Sequence, residues 1–256
     1  TPSSPMHPLI HGWTGTQRST QTNTRLGVTL TFVAGATNAG GFLAVGQYTS
    51  HMTGVLSSVA DSLVLGQLSL ALTGLAMLFT FVFGAMGTAM LVNWGLQRRL
   101  HSAYGLPLAL EAVLLLLFGT FGGAMNFAAY LFTPLTVILL CFIMGLQNAV
   151  ITKISKAEIR TTHITGLVTD MGIELGKLFY INTVHSSTPV LANREKLRLQ
   201  AKLIGGFASG AFIGAAGFKR LGFMATVPLA MVLLALVARP LWDDAHQRLY
   251  AGPNMS

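Results

Sequence analysis

Two histidines of this 256-residue chain stand in closely matching surroundings. Thr49-Ser50-His51-Met52-Thr53-Gly54-Val55 and Thr161-Thr162-His163-Ile164-Thr165-Gly166-Leu167 share a His-x-Thr-Gly core. Imidazole both donates and accepts hydrogen bonds, and histidine is the side chain that ordinarily changes charge near neutral pH. Thr53 and Thr165 add hydroxyls, while Gly54 and Gly166 allow a ligand or another backbone to come close. Each segment leads into a short stretch with helical spacing, Val55–Gly66 and Leu167–Lys177. Thr49, Ser50 or Thr53 is placed to cap the first, and Thr161, Thr162 or Thr165 the second. A helix N-terminus presents free N–H groups and the positive end of a dipole, so two of them beside two histidines suit a small anion or carboxylate. The competing reading is a tight turn whose histidine caps a neighbouring helix.

Asn38, Gln147 and Asn148 lie on the apolar runs just upstream. Their amides are placed either to contact a solute from the walls or to tie helices together. Three acids are candidates for carrying a proton or coupling ion: Asp61 on the first short stretch, Asp170 two helical turns after His163, and Glu111. Glu111 sits in an apolar run four residues after Pro107, and a carboxylate inside a membrane is a functional candidate by default. For Glu174 a simple pairing with Lys177, three residues on, is the favoured reading. No H-E-x-x-H, G-x-S-x-G or Walker motif is present, so catalytic residues, a resident metal and ATP-driven work are not expected. No cofactor is called for. The one cysteine, Cys141, can form no internal disulfide and supplies no cysteine-rich metal site.

The elements that position these residues follow from charge and hydropathy. Charged residues make up 9% of the chain, against about 25% in an ordinary soluble domain. Between Leu26 and Gln97 the only charged residue is Asp61, and between Leu100 and Thr152 the only one is Glu111. A soluble fold cannot keep such stretches and a solvated surface too. The chain therefore reads as an all-α membrane protein whose partner is the lipid bilayer. The +8 net charge lies in the gaps between apolar runs, which argues against nucleic acid as a partner. Six runs approach the roughly 20 residues a span requires: 26–47, 68–93, 106–124, 132–150, 203–218 and 221–237. A polar loop is expected over 183–198, with Pro189 breaking any helix through it. Residues 1–25 read as a flexible cytoplasmic tail without a cleavable signal peptide, and 239–256 as a second cytoplasmic tail. With both termini inside, every Lys and Arg except Lys219 and Arg220 falls on the cytoplasmic side.

The paired histidine segments belong to a longer internal repeat. Thr37-Asn38-Ala39 matches Gln147-Asn148-Ala149, Gly95-Leu96-Gln97-Arg98 matches Gly217-Phe218-Lys219-Arg220, and Leu106-Pro107-Leu108-Ala109 matches Val227-Pro228-Leu229-Ala230. Each copy, 26–124 and 132–238, holds three spans. Three is odd, so the second copy enters the membrane from the opposite face, giving two inverted repeats, each with a re-entrant or half-helix His-x-Thr-Gly segment. Gly84-x-x-Gly87 and Gly206, Gly210 and Gly214 occupy matching places and allow close helix packing, within the chain or in a homo-oligomer.

The words N-A-G-G-F, T-S-H-M-T-G, G-L-Q-N-A and R-T-T-H-I-T-G-L-V-T-D-M-G-I-E-L-G closely resemble the bacterial YoaK family. That resemblance covers about 26–238 and implies a six-span protein of the bacterial inner membrane, with no assigned substrate or active site. The residues themselves favour a secondary transporter of a small polar or anionic solute, with proton coupling an option. A passive channel, a structural or partner-binding subunit and an intramembrane enzyme using both histidines on a metal are the alternatives.

Overall fold

The computed structural model describes residues 20–155, 161–182 and 189–250. Among these there is no strand. The helices are α1 (Thr20–Val45), α2 (Met52–Val64), α3 (Leu68–Gln97), α4 (Leu106–Ile154), α5 (Ile164–Phe179), α6 (Arg194–Leu221) and α7 (Thr226–Tyr250), with a 3₁₀ turn at Gly222–Ala225. In a bilayer core a helix satisfies every backbone group within itself, which is why the apolar runs take this form. Four stretches are long and apolar enough to cross a membrane: Gln21–Val45, Leu68–Gln97, Phe132–Ile154 and Arg194–His246. The last contains both α6 and α7, joined at Gly222, whose φ of +58° reverses the chain.

A straight α4 of 49 residues would reach about 73 Å. Its two ends lie together instead. Leu106 rests beside Gly95, while Lys153 donates to Asn93 Oδ1 at 2.7 Å, two residues away along α3. The helix therefore doubles back into two arms, described over 106–120 and 132–154.

The long helices pack in parallel pairs, α1 with α6 and α3 with the second arm of α4. In both pairs the backbones touch at reciprocal glycines. Gly35 faces the carbonyl of Phe207 and Gly210 that of Phe32; Gly84 faces the carbonyl of Phe142 and Gly145 that of Phe81. Every one of these contacts uses a Phe-x-x-Gly word, at 32–35, 81–84, 142–145 and 207–210. A Cβ on any of the four glycines would overlap the facing main chain. The first arm of α4 runs antiparallel to α7, with Gly105 near Val237 and Gly119 near Thr226. Leu26, Leu30, Leu115, Leu146 and Leu233 join these layers into one buried core.

Three boundaries depart from the sequence expectation. α1 begins at Thr20, so the expected tail is helical over 20–25. α6 begins at Arg194, where Asn193 Oδ1 accepts from the Lys196 N–H at 3.0 Å, so the polar segment ends five residues earlier than its composition suggests. α7 continues to Tyr250, held by the Asp244 carboxylate, which accepts the N–H groups of His101 at 2.8 Å and Ser102 at 2.9 Å. Residues 1–19 and 251–256, the rest of the expected tails, lie outside the described residues.

Candidate functional site

α1 stops at Val45, where Gly46 adopts a φ of +73°. Six residues further on, Met52 packs against Met77, Val137 and Cys141, so the chain has turned back beside the interior of α3 rather than at its end. The turn is held from α1: the Ser50 hydroxyl donates to Asn38 Oδ1 at 2.8 Å. The second turn is held in the same way but more firmly. Asn148 Oδ1 accepts from the hydroxyls of Thr161 at 3.1 Å and Thr162 at 2.9 Å, and from the Thr162 N–H at 3.3 Å.

Of the hydroxyls expected to cap the short helices, those of Ser50, Thr161 and Thr162 thus serve the asparagines instead. His51 and His163 occupy the two N-cap positions, and neither side chain caps its helix. Their carbonyls accept the first helical bonds, from Val55 N–H at 3.0 Å and Leu167 N–H at 3.1 Å. Each imidazole lies over the glycine three residues later; a Cβ on Gly54 or Gly166 would strike the ring. That explains why His-x-Thr-Gly needs its glycine.

Both turns open onto one cavity of about 640 Å³. His51 and Thr53 line it from one side, and His163, Thr165 and Gly166 from the other. Phe81 and Ala85, at the midpoint of α3, and Gly145, Asn148 and Thr152 of α4 complete the wall. Among the described residues the lining contains no Asp, Glu, Lys or Arg. What it offers is two imidazoles, several hydroxyls, an amide and the leading N–H groups of α2 and α5.

The remaining sequence candidates lie elsewhere. Asn38 is buried behind Ser50, and Gln147 is buried with its Nε2 3.4 Å from the Leu30 carbonyl; neither lines the cavity. Gly54 faces a separate cavity near the start of α3. Asp61 is exposed on α2, and Asp170 pairs with Lys196 at 3.1 Å. Glu111 is fully buried on the first arm of α4, away from the cavity, and neither of its oxygens has a hydrogen-bond partner among the described residues. Glu174 accepts from the Asn193 N–H at 2.8 Å and from Lys177 at 2.9 Å, and these bonds hold its carboxyl below the usual range. Sequence reading missed Ser50 and Thr162 as anchors and Phe81 as a wall residue. The Phe-x-x-Gly words were the available signal for Phe81.

The asparagines differ in how much they hold, three bonds at Asn148 against one at Asn38. Each such bond contributes roughly 1 kcal/mol. Asn148→Ala is expected to lower the thermal unfolding midpoint in detergent clearly more than Asn38→Ala. Equal losses would show that the extra bonds to Thr161 and Thr162 carry no weight.

A family model described as "Protein of unknown function (DUF1275)" matches residues 26–239, from the first turns of α1 to within α7. No curated protein and no solved structure matches the chain.

Proposed function

Because the chain belongs to the DUF1275 family, whose description names no activity, its function must be read from its own residues, and we propose that it is a secondary transporter of a small polar or anionic solute. The observation that carries this reading is the single cavity shared by the N-termini of α2 and α5. Two helix starts with free N–H groups, two histidines and no carboxylate among the described lining residues form a surface complementary to negative charge.

Six membrane crossings in two inverted repeats belong to the same proposal. The doubled-back α4 and the reversal at Gly222 supply six arms from the apolar helices. The repeat reading is supported by the corresponding contacts. The glycine crossings of α1 with α6 reappear in α3 with α4, and Asn38–Ser50 reappears as Asn148–Thr162. Discontinuous helices whose N-termini meet at a central site are a recurring device of such transporters. In the same proposal the N-terminus, the Arg98 end of α3 and the start of α6 face the cytoplasm, which the distribution of Lys and Arg supports, and the membrane is the bacterial inner membrane that the YoaK resemblance implies.

The test is uptake of small carboxylates and inorganic anions into liposomes containing the purified protein, with and without a pH gradient. Saturable uptake that responds to a gradient supports a transporter. Flux rising linearly with concentration would make the protein a channel, and no flux for any anion would refute the reading of the cavity.

A further inference from the structure

Two further cavities flank the central one. On the side where α2 turns into α3, a cavity of about 330 Å³ is lined by Val55 and Ser58 of α2 and Leu70, Thr73, Gly74 and Met77 of α3. On the opposite side, one of about 540 Å³ is lined by Leu167 and Asp170 of α5 and Lys196, Leu199, Gln200 and Leu203 of α6. These are corresponding positions. The spacing that carries His51 to His163 carries Val55 to Leu167 and Ser58 to Asp170. The spacing that carries Gly84 to Gly210 carries Leu70, Thr73, Gly74 and Met77 to Lys196, Leu199, Gln200 and Leu203.

The two differ in how they meet the centre. His51 lines both the first cavity and the central one. The other cavity shares no described residue with the central one, and across it Asp170 binds Lys196 at 3.1 Å, tying α5 to α6. At the corresponding positions of the first cavity stand Ser58 and Leu70, which cannot form an ion pair. Glu195, Arg198 and Lys202 also line the tied cavity, and nearby Glu174 is engaged by Lys177 and the Asn193 N–H.

We infer that the two flanking cavities are the solute's outer and inner access routes, and that Asp170 and Lys196 are the inner gate, shut in this structure while the outer route reaches the centre at His51. This rests on the transport reading above. Both side chains are about half exposed, 48% for Asp170 and 46% for Lys196. Exposed pairs contribute little to stability, which suits a bond that must break in every cycle. Asp170, which the sequence offers as a coupling group, here bridges two helices.

The experiment uses Thr165→Cys, with Thr53→Cys as a second reporter, in right-side-out and inside-out membrane vesicles. The probe is a membrane-impermeant sulfonated methanethiosulfonate. The wild-type chain, whose one cysteine is buried, is the blank. The reporters are expected to react from the outside and not from the inside. Asp170→Lys or Lys196→Asp alone should raise labelling from the inside at least tenfold, and the exchanged pair should bring it back down. Unchanged inside labelling in the single variants, or no recovery in the exchange, would overturn the gate. Equal labelling from both sides of the parent protein would also overturn it while leaving an open, channel-like cavity. No labelling of either reporter from either side would overturn the transport reading along with it.

Discussion

Gly145→Val is expected to abolish the folded protein, while Gly172→Val purifies with an unchanged melting profile. Valine is no worse than glycine inside a helix, so propensity does not separate the two. What separates them is the neighbour. A Cβ at Gly172 meets nothing within 4 Å, whereas at Gly145 it runs into the main chain of Phe81. A side chain would swing aside; a carbonyl in the middle of a 30-residue helix cannot. Ordinary overpacking costs about 1–3 kcal/mol because neighbours repack. Here α3 and α4 must separate along their crossing, so the cost exceeds that range, and Gly145→Ala already falls within it. Gel-filtration profiles and thermal unfolding in detergent read the outcome. A monodisperse Gly145→Val at normal yield would mean that the two backbones do not touch.

The second large effect concerns activity without loss of fold. His51→Ala and His163→Ala each remove an imidazole that packs on its own glycine and makes no hydrogen bond from the cap, so the scaffold loses little. The anion loses a hydrogen-bond donor in a cavity whose described lining holds no Lys or Arg to substitute for it. Hydrogen bonds to charged groups are worth roughly 1.5–3 kcal/mol, so each variant should reduce uptake efficiency about 10- to 100-fold. The double variant should bring uptake to the level of empty liposomes. Both single variants should keep thermal midpoints within a few degrees of the parent. Folded single variants that transport at the parental rate would remove the histidines from the site.

The paired His-x-Thr-Gly segments were legible because polar and small residues break long apolar runs twice in the same wording. The half-length of α2 and α5 was legible for the same reason: too few residues separate the break from the next turn to cross a bilayer. The caps were not legible, because a hydroxyl can serve either the helix it precedes or an amide on another helix, and only Asn38 and Asn148 in place decide between them. The start of α6 was missed because its first two turns are charged, and hydropathy detects the membrane rather than the helix. The backbone crossings were half visible. Gly84 and Gly210 stood out, but Phe-x-x-Gly is an unremarkable word in an apolar span until its four occurrences face one another. The pairing of Asp170 was not legible, since Lys196 lies on a different helix and no local spacing announces it.

The pairing of the long helices has a bearing on how such a chain arose. α1 finds its close partner in α6, and α3 in the second arm of α4, so each crossing joins one half of the chain to the other. A half made alone would leave its glycine faces bare in lipid, with no partner among its own helices. On the proposed inverted-repeat arrangement, a second copy threaded the opposite way through the bilayer would cover them. A small ancestral gene would therefore have needed to insert in both orientations, with a charge bias weak enough to permit it. On the proposed repeat reading, fusion of two such genes would remove that need and leave each copy free to diverge, with Asp170 and Lys196 at the positions matching Ser58 and Leu70.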